Sequence, residues 1–551
     1  VDSTRPWLRD AVIAVALAVL LGFVWAARHW GDLAALRLPD TDDVMRLVEV
    51  RDWLAGQGYA DLHQYRLGPP GGTAMHWSRL ADMPVAALIL ALAPLAGRHM
   101  AEVVAVCLWP VLLFAAYLAA IGAVARRLGV TGVTAMIVAA IAFPVTTLFV
   151  PGRIDHHGLQ IVLLLACVHG MVAPPSRGRG IAIGAAMAAS AAIGFETVPL
   201  LAVLGAWAVA TWMRDDDARL QGIAIGLAIV GAVSFGLIPA SAPSGLCDAL
   251  SAPLAAILVV TGIMLGLITL ASRHLAVPRW VLVAACGIVL IGVAAAIAPA
   301  GCRVGPYGAV DAGLVRLWLH NVAEAQPLLR AAPADAIGYA GLAIVGLLAA
   351  LWQARLRGGA WWGVAALIAS GLMVACWQLR GAYGAAAIAP IALAALIDAA
   401  RSRGPILLTG AWIASAGILY PLAGTALAQS PRGAVAPCDA GAATALLAKL
   451  PPGRLAAPID LGPAILRDTR HATLAGPYHR DGMGNAALYR IMLGEPAVAA
   501  RLLRANAVRY IVWCPGAVGG GAAPDSIAAR GAAPGFATIA QGGGVRVLAR
   551  R

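Results

Sequence analysis

Apolar residues run through this chain in blocks of about 17–22, separated by short turns that usually hold arginine, which is the length of helix that crosses a bilayer core. We place spans at residues 11–27, 102–123, 131–150, 157–173, 180–194, 197–213, 220–240, 252–272, 279–299, 336–354, 360–378, 383–399 and 405–426. This predicts about thirteen transmembrane helices. The run 180–213 is too long for one span, and Gly194-Phe195-Glu196 divides it at a turn. Met83 to Gly97 is apolar but only about 15 residues long, so it is read as interfacial or half-buried.

Arginine then sets the orientation. With these spans, Arg126-Arg127, Arg177/Arg179, Arg214 to Arg219, Arg273 to Arg279, Arg355/Arg357 and Arg401/Arg403 all fall on the side of the N-terminal Arg5 and Arg9. The positive-inside rule makes that side cytoplasmic. Counting 83–97 as a span would move Arg126-Arg127 to the other side. No small-residue cleavage site follows residues 11–27, so the first run is expected to be an uncleaved span. The chain is expected in the plasma (inner) membrane as a multi-pass protein.

Residues 1–429 thus form a transmembrane domain with external loops at 28–100 and 300–335. From about residue 430 the apolar residues become intermittent. Pro451-Pro452-Gly453, Asp460-Leu461-Gly462 and Gly519-Gly520-Gly521 punctuate short pieces such as Arg509-Tyr510-Ile511-Val512-Trp513. Residues 430–551 are expected to be an extracytoplasmic α/β domain.

Composition sharpens this picture. At 61% hydrophobic and 12% charged, a 551-residue chain is no soluble globular protein. The net charge of +13 invites a nucleic-acid reading, but the excess arginine lies in the short loops, so no nucleic-acid partner is expected. Cys107, Cys167, Cys286 and Cys376 lie inside apolar runs and act as small buried hydrophobes. Cys247 and Cys302 share the external face, and Cys438 and Cys514 the terminal domain. Two disulfides, Cys247–Cys302 and Cys438–Cys514, follow from an oxidising compartment.

The external ends carry an unusual set of ionisable groups. Asp40, Asp42 and Asp43 sit within four residues, ahead of a helical stretch from Val44 to Gln57. Clustered carboxylates repel unless a cation compensates. Pro151-Gly152-Arg153-Ile154-Asp155-His156-His157 joins two spans, Glu196 sits at another turn, and Asn321-Val322-Ala323-Glu324-Ala325-Gln326-Pro327 lies in the second loop. Arg380 ends a span at the same face. Singly, each has a plainer use: a solvated loop aspartate at Asp40, interfacial histidines, a helix cap at Glu324, an arginine snorkelling to headgroups. Together, Asp42, Asp43, Asp155, His157 and Glu324 offer oxygen and imidazole ligands suited to Mg²⁺ or Mn²⁺. Arg380 suits a phosphate.

These motifs resemble the catalytic subunit of oligosaccharyltransferases, membrane enzymes of the GT-C class. Asp42 falls on the family's catalytic Asp of the first external loop when Arg51, Leu54 and Gly58 are matched, and Gly71-Gly72-Thr73 matches a later G-G-T. Asp155-His156-His157 is similar to the second acidic motif, and Asn321 to Pro327 to the loop motif S-V-S-E-x-Q-P. The resemblance implies a GT-C fold with thirteen spans, a divalent metal on Asp42, Asp155 and Glu324, and a lipid-phosphate contact at Arg380. Its departure is at Pro458-Ile459-Asp460-Leu461-Gly462, where the family's W-W-D-Y-G motif reads the glycosylation sequon. Both tryptophans are absent, and with them their indole donors and stacking faces.

The expectation is a metal-dependent glycosyltransferase. It would move a sugar or oligosaccharide from a polyprenyl-phosphate or -pyrophosphate donor to an extracytoplasmic acceptor: glycan, lipid or protein. Asp42, Asp155 and Glu324 would be catalytic, with Tyr478, His479 and Arg480 on the acceptor or glycan side. Two rivals stand: an oligosaccharyltransferase acting on protein Asn, and a non-enzymatic lipid-linked glycan transporter or scaffold. A transporter should carry ionisable groups near the midplane, whereas these runs are nearly free of charge.

Overall fold

The computed structural model describes residues 6–238, 248–300, 302, 310–427, 438–518 and 522–551. Every expected span falls on a helix or a broken pair of helices. Among the described residues, eight helices are long and apolar enough to cross a bilayer, or nine when the bent pair Pro405–Ser415 and Leu419–Leu427 counts as one. The others are shorter or more polar: Gly132–Ala140, continued by a 3-10 turn at Val145–Phe149, His157–Val172, Arg177–Ile193, Val198–Asp215 and Ala360–Ala375.

Four N-terminal helices set the frame: α1 (Pro6–Arg28), α2 (Thr41–Leu54), α3 (Arg79–Ala96) and α4 (Arg98–Arg127). Helix α3 is longer than expected and passes as a span by length. The packing assigns it otherwise. Asp10 near the start of α1 pairs with Arg126 at the end of α4. Beyond the other end of α1, the Ala34 carbonyl contacts His99 at the start of α4 (3.0 Å). So α1 and α4 are antiparallel, and residues 29–97 begin and end at one face. The start of α3 and the residue that opens α4 just past its end both reach α2: Arg79 donates to the Glu49 carbonyl (3.0 Å), and Arg98 to the Arg51 carbonyl (3.5 Å). Helix α3 therefore lies beside α2 at the site face and makes no net crossing. Single cysteines at positions 99 and 126, in a background without other reactive cysteines, are expected to label from opposite sides with an impermeant reagent. Labelling of both from one side would reject the antiparallel pair.

Small residues let the membrane helices approach. Arg177–Ile193 packs on Arg219–Gly236 through Gly180, Gly184, Gly222 and Gly226, where any added Cβ would strike the facing backbone. The alanine-rich helix Gly381–Arg401 is buried along most of its length and forms the centre of the bundle.

The C-terminal part is a five-stranded mixed sheet. Numbering follows a small hairpin, β1 (His63–Gln64) and β2 (Thr73–Ala74). The sheet strands are β3 (Arg454–Ala456), β4 (Ala472–Thr473), β5 (Val508–Trp513), β6 (Phe536–Gly542) and β7 (Val545–Arg550), in spatial order β4-β3-β5-β7-β6. The β3 pairings are parallel and those of β7 antiparallel. Leu67 bridges Thr473, so the loop after β1 extends the sheet beyond β4. Arg66 donates to the carbonyls of Thr469 (2.9 Å) and Leu466 (2.8 Å), and Arg467 to that of Leu36 (2.8 Å). The sheet is thereby docked on residues 29–97. The hairpin turn needs Gly72, which has φ +85° and would press a Cβ to 2.7 Å from the Gln64 carbonyl.

Cys438 and Cys514 are disulfide-bonded across 76 positions, with Cα atoms 5.8 Å apart. Closing a loop of that length stabilises a domain by about 4 kcal/mol. Cys438→Ser with Cys514→Ser should lower the melting temperature under non-reducing conditions and remove its dependence on reductant. An unchanged melting temperature would count against the bridge. The pairing expected of Cys302 falls on Cys247, which lies outside the described residues. Of the four cysteines expected to be buried, Cys376 is exposed and Cys107 only half-buried.

Candidate active site

The site grows from the N-terminus of α2. Asp40 caps that helix, accepting the Asp42 N–H (3.1 Å), and holds Arg153 at 2.7 Å. Asp42 and Asp43 follow in the first turn, on opposite duties. Asp43 turns inward and is fully buried. Its Oδ1 accepts the N–H groups of both Ile154 and Asp155 (2.8 Å each), and its Oδ2 lies 3.1 Å from Arg153. One carboxylate thus fixes the loop that carries Asp155 and His157. Gly152 makes that loop possible, with φ +96° and Pro39 2.7 Å from where a Cβ would stand.

Asp155 is shared between two sets of partners. Its Oδ1 accepts from His156 Nδ1 (2.6 Å) and from Arg46 (3.1 Å), while its Oδ2 stands 3.5 Å from His157 Nδ1. On its far side His156 Nε2 is 3.4 Å from Glu196. Burial works against a charged His156, but Asp155 and Glu196 on its two nitrogens push it up to about 10. The two flanking carboxylates thus favour its charged form. Burial would raise Asp155; instead His156, His157 and Arg46 hold it well below the usual carboxylate range.

Asp42 has no such partners. Burial and the like charges of Asp155, Asp40, Glu324 and Asp43 push its carboxyl well above the ordinary value. The same burial raises Asp43 to about 7 despite Arg153. Negative potential is thus concentrated at Asp42, in the field of Asp155, whose neighbour His157 has a buried Nδ1 with no hydrogen-bond partner. An unsatisfied imidazole nitrogen among carboxylate oxygens is a donor set that fits a divalent cation. Asp155 and His157, with His156, also supply atoms that lie within 4.8 Å of one another.

Asp42, His157, Glu324, Arg380, Tyr478 and His479 line one cavity of about 980 Å³. Glu324 is placed differently from the other acidic residues. It forms an ion pair with Arg380 (2.9 Å), and its carbonyl accepts the Arg380 N–H (3.1 Å). Tyr478 is buried, stacks edge-on against Trp77, and sends its hydroxyl to the Thr41 carbonyl (2.9 Å), supporting the first turn of α2. His479 and Arg480 both meet Asp248. Pro458-Ile459 turn away from the cavity, with Ile459 in the core of the sheet region, while Asp460 reaches the cavity wall.

Sequence reasoning missed Arg46. It is fully buried, bonded to Asp82 (2.6 Å) as well as Asp155, and its guanidinium lies 4.9 Å over Trp77. The signal was present: a lone arginine inside the apolar stretch Val44 to Val48. Arg79 completes the network, 3.5 Å from Asp82. Asp248 had no signal in its neighbourhood.

No protein-family model and no curated protein sequence matches the chain. Solved structures do. The Archaeoglobus fulgidus oligosaccharyltransferase in complex with an inhibitory peptide and a dolichol-phosphate superposes with a TM-score of 0.65 at 12% identity, over 92% of this chain and 69% of the other. The same protein tethered to an acceptor peptide containing an NVT sequon gives 0.64 at 11%, over 93% and 69%. Its complex with Zn and sulfate gives 0.59 at 11%, over 91% and 67%. At that identity the likeness establishes the fold: the chain has the GT-C fold of an oligosaccharyltransferase.

Proposed function

We infer that this chain, built on the fold of an oligosaccharyltransferase, moves a sugar or oligosaccharide from a polyprenyl-phosphate or -pyrophosphate donor to an extracytoplasmic acceptor. The observation that carries this reading is the meeting of opposite charges in one cavity. Asp42 and His157, with Asp155 buried against His157, share that cavity with Arg380 at the head of a membrane helix. A neighbour of the same fold binds a dolichol-phosphate, which supports a lipid-linked donor.

The roles follow from the contacts. Asp40 and Asp43 hold the 153–155 loop, so that Asp155 and His157 face Asp42. Asp42 orients the acceptor nucleophile as a hydrogen-bond acceptor. Arg380 takes the donor phosphate, where its fork of N–H groups stabilises charge on the leaving oxygens. Until a donor arrives, Glu324 holds Arg380 in place; the phosphate competes for that arginine and frees Glu324 to turn toward Asp42 and Asp155. Mg²⁺ or Mn²⁺, held by Asp42, Asp155, His157 and then Glu324, would supply further neutralisation of the leaving phosphate. His479 faces the acceptor side of the cavity.

The purified chain, given a polyprenyl-linked sugar and Mn²⁺, is expected to consume the donor, to stop in excess chelator and to recover on adding Mn²⁺. Full activity in chelator would reject the metal, and consumption of no polyprenyl-linked donor would reject the transfer. An N-x-S/T peptide is not expected to serve as acceptor, because Pro458-Ile459 offer no indole. Efficient transfer to the peptide Asn would reinstate protein N-glycosylation.

A further inference from the structure

A second group of ligating side chains stands apart from Asp42 and Asp155. His76 follows β2, Asp248 precedes the membrane helix Ala252–His274, and His479 follows β4. Three distant segments bring one donor atom each to within 4.8 Å of the others. Asp248 Oδ2 lies 2.5 Å from His479 Nε2 and 3.8 Å from His76 Nε2. The two imidazoles meet edge to face, with centroids 4.6 Å apart.

Two details separate this group from an ordinary surface ion pair. His76 is 88% buried, yet its Nδ1 has no hydrogen-bond partner, and its Nε2 is beyond hydrogen-bond distance of Asp248. A buried polar atom without a partner is costly, and native interiors seldom leave one so. The ring instead points its Nε2 at the other two donors. Arg480, next to His479, holds Asp248 by Oδ1 and leaves Oδ2 turned to the histidines. An outer partner fixing a carboxylate in this way is the usual support of a metal ligand.

We propose that His76, Asp248 and His479 form a second cation site, of the two-histidine, one-carboxylate type that takes Zn²⁺. The donor set differs from the oxygen-rich corner at Asp42 in its softness, so the two sites select different ions. Three protein ligands leave a fourth position open to the shared cavity. The site also ties the C-terminal region, through His479, to the membrane bundle at Asp248 and to the 29–97 segment at His76. It stands without the transfer reading.

The test counts Zn²⁺ in the full-length protein. Asp42→Asn with Asp155→Asn disables the first site. After loading with Zn²⁺ and desalting, that chain is expected to retain one equivalent, and to lose it when His76→Gln or His479→Gln is added. Arg480→Gln should weaken retention by about 10–100-fold. Co²⁺ in place of Zn²⁺ should give the visible absorption of a tetrahedral site, lost in the same variants. If the double variant does not fold, the parent and its His76→Gln form decide, with a drop of one equivalent expected. No retained Zn²⁺ in the disabled chain, or equal retention after both histidine substitutions, would overturn the proposal.

Discussion

Asp42→Asn and Asp155→Asn are each expected to slow single-turnover transfer by on the order of 10²–10³, the typical cost of removing a group that acts mainly in the transition state. Both changes keep size and shape and remove charge. Asp42 is a safe substitution for folding, because its carboxyl is already pushed up by its neighbours and has no buried cation to abandon. Asp40→Asn is the control. Asparagine caps a helix as well as aspartate does, so α2 should start as before, with only the Arg153 pair weakened. The three variants are compared across a Mn²⁺ titration. Near-parental rates for both Asp42→Asn and Asp155→Asn at low Mn²⁺ would reject their assignment to the cation. Loss of activity in Asp40→Asn equal to theirs would show that the carboxylates act through the loop and not through a ligand.

Arg46→Met carries the largest expected effect on stability. Arg46 stands between two buried carboxylates, Asp82 and Asp155, at 2.6 and 3.1 Å. Removing one partner of a buried ion pair typically costs roughly 3–5 kcal/mol, because the charge left behind has neither water nor a partner. Methionine preserves the packing on Trp77, so the loss reports charge and not volume. The melting temperature of Arg46→Met in detergent should fall well below that of the parent. Adding Asp82→Asn should recover part of it, since one stranded charge is then gone. Arg46→Lys should be intermediate, because an ammonium cannot reach both carboxylates with the fork of a guanidinium. A melting temperature for Arg46→Met equal to the parent's would show that the network is dispensable. The network also sets the direction of Asp155: without Arg46, His156 alone holds its Oδ1, and transfer should weaken along with stability.

The helix α3 shows where local reasoning and packing diverge. The folded helix has the length and apolarity of a span, whereas the apolar run of about 15 residues read from sequence and the arginine pattern both argued for no net crossing. The Asp10–Arg126 pair and the His99–Ala34 contact agree with that expectation, because they fix both ends of α1 against both ends of α4. Glu324 shows the reverse case. Its motif is legible in sequence, yet its partner is Arg380, 56 positions away.

What the sequence determined by itself are the membrane helices and the acidic motifs that line the cavity. Each span is legible because the bilayer acts on it separately: about 20 apolar residues satisfy the hydrocarbon whatever the rest of the chain does. Asp42, Asp43, Asp155 and His157 stood out for a related reason, since ionisable groups beside a membrane have few other uses, whereas Asp40, read as a solvated loop aspartate, turned out to cap α2 and hold Arg153. Only the tertiary structure decided what each one does. Asp43 became a clamp on the Asp155 loop, His156 a ring held between two carboxylates, and Asp42 the carboxyl in the strongest negative field. Arg46 meets Asp155 across 109 positions, and His479 meets Asp248 through packing of the sheet region on the bundle. Nothing within a helical turn of either residue encodes such a partner. Electrostatic roles depend on distances of a few ångströms between segments far apart in the chain, and those distances exist only once the bundle and the sheet have packed.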